Sequence, residues 1–170
     1  MGLIEKFVGA TLCGIAALML GAASVSAMSH GGGLPKRPML TTAAAETAAL
    51  ACEKYAKEKG WKLNIAILDA GGELLYFRRD IDSFRGSIEI AINKAFTATQ
   101  FGFPTRLFGD TIINMAPGIQ YTPRLIIFPG GLPIKSGEVL IGGIGTSGAT
   151  GDQDEECAQV GLDAIAGMLN

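Results

Sequence analysis

From residue 42 onward the hydrophobic and polar positions switch between two periods, and each switch marks an element. Between Thr42 and Lys59 apolar residues fall at Ala45, Ala48, Ala49, Cys52, Tyr55 and Ala56, the spacing of a helix with one buried face, and Gly60 ends the run. Leu63 to Leu68 is apolar almost throughout, which predicts a strand covered on both sides. Asp69-Ala70-Gly71-Gly72 is a tight turn, and Leu74 to Arg78 is the returning strand of a hairpin. A second helix is expected to start at Asp82 or Ser83 and to bury Phe84, Ile88, Ala91, Ile92, Ala95 and Ala98. Gly102-Phe103-Pro104 stops it, and Thr105 to Asn114 reads as a shorter helix. Three more strands follow at Arg124 to Phe128, Leu132 to Lys135 and Glu138 to Gly145. The last helix, from Asp154, buries Ala158, Gly161, Leu162, Ile165, Met168 and Leu169. Connections this short favour antiparallel pairing. The expected fold is therefore α+β, a mainly antiparallel five-stranded sheet flanked by helices on both faces.

The pattern also singles out stretches able to carry chemistry. Leu140 to Glu156 passes from an apolar strand through a loop rich in glycine to an acidic helix start. Glycines let a backbone approach a ligand closely, and free amides at a helix start carry partial positive charge, so an anionic group could rest there. The alternative is a plain turn in which Asp152 or Asp154 caps the helix. Arg78-Arg79-Asp80 lies at the far end of the hairpin, where only one of the two arginines can face a given site; the alternative is a surface ion pair. Lys94 and Thr97 share a stripe with Ile90 and Phe101 on the second helix. A lysine there either snorkels to solvent or offers a cation beside a pocket.

Composition narrows the class. The chain has 170 residues, 48% hydrophobic and 7% aromatic, and a formal charge of -2 with no basic stripe, which argues against nucleic acid as a partner. Residues 1–27 resemble an export signal: Lys6 at the head, an apolar run from Phe7 to about Ala23, and a small-residue cleavage site at Val25-Ser26-Ala27. Glycines interrupt the run and no basic stop-transfer flank follows, so no stable membrane span is expected after processing. Residues 28–41 read as a flexible arm carrying His30, the only histidine, and 42–170 as the domain, placed in the periplasm or outside the cell. Cys52 and Cys157 remain after processing, and the sequence leaves open a bridge or two buried thiols.

Leu68-Asp69-Ala70-Gly71-Gly72, Arg79-Asp80, Lys94-Ala95-Phe96-Thr97-Ala98, Pro104-Thr105, Gly130-Gly131-Leu132-Pro133 and Ile144-Gly145-Thr146-Ser147-Gly148 followed by Gln153-Asp154-Glu155 occur in that order. With them the chain resembles the GlcG/HbpS-like family, a haem-binding group that also occurs as the C-terminal domain of PduO-type proteins. The resemblance covers Thr42 to Asn170. It implies a profilin-like sandwich, assembly into homo-oligomers, and haem as cofactor. It further implies that Arg79, Asp80, Lys94, Thr97, Gly131, Gly145, Ser147 and Asp154 line one shared cleft. Ile90, Phe101 and Ile144 are expected as apolar walls, with His30, Met115 and Tyr121 as candidate axial ligands to iron.

Three functions compete on this reading. The first is an exported small-ligand-binding protein taking haem or a related planar carboxylated molecule for sensing, storage or delivery. The second is an enzyme acting on a small carboxylated or hydroxylated metabolite, with Lys94 or Asp80 as acid or base. The third is a non-catalytic accessory subunit. No nucleophile with a base, metal cluster or dinucleotide fingerprint appears in the sequence.

Overall fold

The computed structural model describes residue 34 and residues 36–169. The expected export signal and His30 lie outside the described residues. Helix α1, Thr42–Lys59, begins under the Thr41 hydroxyl, which accepts from the Ala44 amide at 3.2 Å, and ends at Gly60 with a left-handed φ of 75°. Strands β1, Asn64–Asp69, and β2, Leu74–Arg78, form the expected hairpin. Helix α2 is Ser87–Phe101. A π-helical turn at Phe108–Ile112 runs into the short α3, Ile113–Met115, and a 3-10 turn occupies Ile119–Tyr121. Strands β3, Gly131–Ser136, and β4, Val139–Ser147, precede α4, Gly151–Ile165. The sheet is antiparallel at every contact, in the order β2-β1-β4-β3. Among the described residues no helix is long and apolar enough to cross a membrane.

The architecture is α+β with helices on both faces, but the sheet has four strands rather than five. Arg124 to Phe128 does not join it. Arg124 adopts a left-handed φ of 66°, and side chains of the α2 layer serve the segment's backbone in place of a ladder. The Thr97 hydroxyl donates to the Asn93 carbonyl at 2.8 Å and accepts from the Ile126 amide at 3.0 Å, while Thr105 donates to the Phe128 carbonyl at 2.9 Å. The edge strand β3 also carries Pro133, which has no N–H to offer a neighbour.

Both later helices start elsewhere than the sequence suggests. Asp82 and Ser83 belong to a turn closed by Asp80, whose carboxylate accepts from the Asp82 amide at 2.9 Å, and α2 begins only at Ser87. Helix α4 is capped by Thr150 in a reciprocal box with Gln153, not by either aspartate.

Helix α2 lies on one face of the sheet, and α1 with α4 on the other. The α2 contact is close because β4 presents Gly143 and Gly145. A Cβ on Gly145 would stand 2.1 Å from the Ala91 carbonyl oxygen and 2.4 Å from the Ala95 nitrogen. Only small or slender residues fit there: the buried face of α2 is Ser87, Ala91, Lys94, Ala95, Thr97, Ala98 and Thr99, whereas Phe84 is 54% exposed. Gly145→Ala is expected to destabilise the domain by at least about 1–3 kcal/mol, because backbone rather than a flexible side chain must yield. Urea unfolding of the variant checks this, and an unchanged midpoint would refute the close packing. On the opposite face, α1 alanines and Cys52 meet Ile65, Ile67, Ile134, Ile144 and Ile165. Cys52 and Cys157 are bridged there, joining α1 to α4 with Cα atoms 4.9 Å apart.

Candidate functional site

At the start of the edge strand β3, Gly130 and Gly131 open a passage between the two helical layers, and Lys94 fills it. Its ammonium donates to Asp154 Oδ2 at 2.7 Å and to the Thr146 carbonyl at 2.9 Å, and the Phe128 ring centre lies 5.0 Å away. A Cβ on Gly130, where φ is 118°, would stand 2.6 Å from that nitrogen, and one on Gly131 would stand 2.4 Å from the Lys94 carbonyl oxygen. These glycines therefore make room for a lysine of the same chain. Lys94 is 0% exposed and Asp154 2%. Burial is the largest influence on both. It holds the ammonium below the ordinary lysine range and the carboxyl above the ordinary aspartate range, with their mutual attraction opposing each shift. Asp154 Oδ1 accepts from the Ala149 amide at 3.1 Å, which ties the loop before α4 into the pair.

The residues expected to share a cleft fall into separate groups. Lys94, Gly131 and Asp154 meet at the passage, and Gly145 sits beneath the adjacent turn of α2. Thr97 faces outward from them toward the Arg124 to Ile126 segment. Asp80 and Ser147 instead approach Asn64: the Asp80 amide donates to Asn64 Oδ1 at 3.0 Å, and Ser147 opposes Asn64 across β1 and β4. Arg79 is exposed, while Arg78 turns to α1 and meets Glu53 at 2.7 and 2.8 Å. Ile144 does not share a wall with Ile90 and Phe101. Alternation along β4 aims Gly143 and Gly145 at α2 and Ile144 at α4, where a Cβ on Gly161 would lie 3.0 Å from it.

The acidic first turn of α4 is neutralised from within the chain. Arg106 Nη2 donates to Asp152 at 2.7 Å and Nε to Glu155 Oε1 at 2.9 Å; these hydrogen bonds raise the guanidinium's already high pKa. With Asp154 committed to Lys94, that helix start is a capped and paired turn.

The open chemistry lies on the segment from Phe101 to Phe128. Phe101, Leu107 and Phe128 are each two-fifths exposed, Met115 is 78% exposed and Tyr121 83%. Phe101, Phe103 and Phe108 pack their rings with centres 4.9 to 6.1 Å apart, which anchors the π-helical turn beneath this surface. Thr97 and Thr105 hold the far side of the segment, as described above. The sequence reading missed the parts played by Asn64, Thr105, Arg124 and Phe128. An amide inside an otherwise apolar strand is the one local signal that could have marked Asn64. Two hollows of about 170 and 300 Å³ flank Leu40 and Ile141, at a different place, and no lysine or arginine lines them. Among the described residues no group of three or more His, Cys, Asp or Glu side chains is placed to hold a metal ion.

Residues 40–163 match the family model described as haem degrading protein HbpS-like. An uncharacterised 15.0 kDa protein of Citrobacter freundii is 36% identical over 131 residues, 75% of this chain and 92% of that protein. A double mutant of HbpS from Streptomyces reticuli superposes with a TM-score of 0.75 at 30% identity, covering 84% of this chain and 98% of that one. The crystal structure of a PduOC:haem complex gives a TM-score of 0.71 at 27% identity, covering 75% and 96%.

Proposed function

Because the chain belongs to the haem degrading protein HbpS-like family, we propose that it is an exported protein that binds haem or a related planar carboxylated molecule for sensing, storage or delivery. The observation that carries this reading is the exposed apolar and aromatic surface between Phe101 and Phe128, built on a π-helical turn and held by side-chain hydrogen bonds. Contiguous exposed apolar surface marks interaction and ligand-binding sites, and π-helical turns recur at functional sites. The haem complex of the PduOC relative supports the choice of ligand. The buried Cys52–Cys157 bridge supports an oxidising compartment.

The residues present fit a haem. The surface offers apolar and ring contacts for a flat macrocycle, with Met115 and Tyr121 both turned to solvent six positions apart on one loop. A thioether and a phenolate are both established donors to haem iron, so these two side chains would hold the group. Bound haem would supply an iron centre able to exchange an axial ligand. Lys94 and Asp154, sealed together, act in this reading as the rigid wall behind the site.

Titrating the mature protein with haemin tests the proposal. A saturable shift of the Soret band is expected, and Met115→Ala with Tyr121→Phe should change its position or weaken binding about tenfold or more. A spectrum identical to free haemin, unchanged by the double variant, would overturn it. Steady bleaching of the bound band in the presence of a mild reductant and oxygen would show turnover in place of storage.

A further inference from the structure

Arg124 is held in a way that an ordinary surface arginine is not. It is the one non-glycine residue with positive φ, 66°, among the described residues, a conformation that costs free energy and persists where surrounding contacts impose it. Three contacts do so here. The Thr97 hydroxyl accepts from the Ile126 amide at 3.0 Å, two residues on, Arg124 Nε donates to Asn93 Oδ1 at 3.2 Å, and the guanidinium carbon lies 3.7 Å from the centre of the Phe96 ring. All three partners sit on α2, so the side chain is laid against that helix with its guanidinium over the Phe96 ring. Among the described residues no carboxylate pairs with it, whereas Arg78 and Arg106 each have acidic partners. The side chain is exposed, and its terminal nitrogens make no hydrogen bond within the chain among the described residues. It therefore presents a pre-oriented two-pronged donor three residues after Tyr121, on the same segment as the exposed apolar surface.

We infer that Arg124 receives a carboxylate of the bound ligand and sets its orientation on the Phe101 to Phe128 surface; this rests on the proposed binding of a planar carboxylated molecule. A planar guanidinium meets a carboxylate through two parallel hydrogen bonds, and ordering it beforehand lowers the entropic cost of binding. Arg79, also exposed, follows the end of β2 and has no such support among the described residues.

The test compares haemin with its dimethyl ester, which keeps the ring and iron but removes both carboxylates, by absorbance titration of the mature protein. Wild type is expected to bind haemin about tenfold or more tighter than the ester. Arg124→Gln should bring haemin down to the ester's affinity while leaving the ester unaffected. Arg124→Lys should lose most of the difference too, because an ammonium cannot match the fork or the stack, and it decides the matter if the glutamine variant fails to fold. Equal weakening of both ligands, or haemin binding that neither variant changes, would overturn the role of Arg124 alone. A wild type that binds neither ligand would overturn the haem reading and this inference with it.

Discussion

Lys94→Met is expected to destabilise the domain by about 3–5 kcal/mol, because it strands the Asp154 carboxylate without its cation in a site from which water is excluded. The double variant Lys94→Met/Asp154→Leu should recover most of that loss. A desolvated ion pair gains little over well-packed apolar side chains, and the damage comes from leaving half of it behind. Acidity gives a signed check. Burial already holds the Asp154 carboxyl above its usual 3.8, and removing Lys94 raises it further. Between 3.8 and the raised folded-state value the folded protein binds a proton that the unfolded chain does not, so this contribution to stability grows as pH falls and is lost as pH rises. The deficit of Lys94→Met relative to wild type should therefore narrow from pH 8 to pH 5. Urea unfolding at the two pH values measures it, and a loss under about 1 kcal/mol at pH 8 would show the pair to be solvated.

Reduction of the Cys52–Cys157 bridge, or Cys52→Ala with Cys157→Ala, is expected to lower stability by about 2–5 kcal/mol. The two cysteines are 105 residues apart, so the bridge restrains nearly the whole domain in its unfolded state, and both sulfurs are buried between α1 and α4. For a domain of this length the loss corresponds to about 6–25 °C in the unfolding midpoint. Thermal scans with and without reductant, beside thiol titration of the denatured protein, check it. Coincident scans, with Cys52 and Cys157 both titratable as thiols before reduction, would remove the bridge.

Both predictions concern contacts that a pattern search could only half see. Lys94 was visible as a lysine on an apolar ridge, a position that ordinarily means either a snorkelling side chain or a cation beside a pocket. The third outcome, a lysine spent on an aspartate of another helix 60 residues away, depends on Gly130 having no Cβ at the point where the ammonium passes. The glycines misled in the same manner. Recurrent glycine after a strand suggested backbone opened toward a ligand, whereas Gly143 and Gly145 are opened toward α2 and Gly131 toward Lys94. Local sequence records that a Cβ is forbidden; it does not record what would collide with it.

Arg124 to Phe128 shows the limit for strands. Its apolar residues and flanking turn residues satisfy the local criteria for a strand. Pairing needs a partner with free donors and acceptors in register, and two threonines on neighbouring elements took those bonds first. A similar competition displaced the start of α4, where the Thr150 hydroxyl caps the free amides in place of Asp152 or Asp154, whereas α2 begins at Ser87 with no side-chain cap.

By itself the sequence determined the first helix and its glycine stop, the β1 and β2 hairpin, the antiparallel α+β class and the family, because periodicity and turn chemistry act over a few residues and leave their mark in order along the chain. Only the tertiary structure decided that the cationic ridge is plugged by its own aspartate, that the two cysteines meet, and that Arg124 lies ordered on Phe96. Those outcomes turn on distances between segments far apart in the chain, where one methyl group more or less determines which polar atom finds a partner and which is left facing outward.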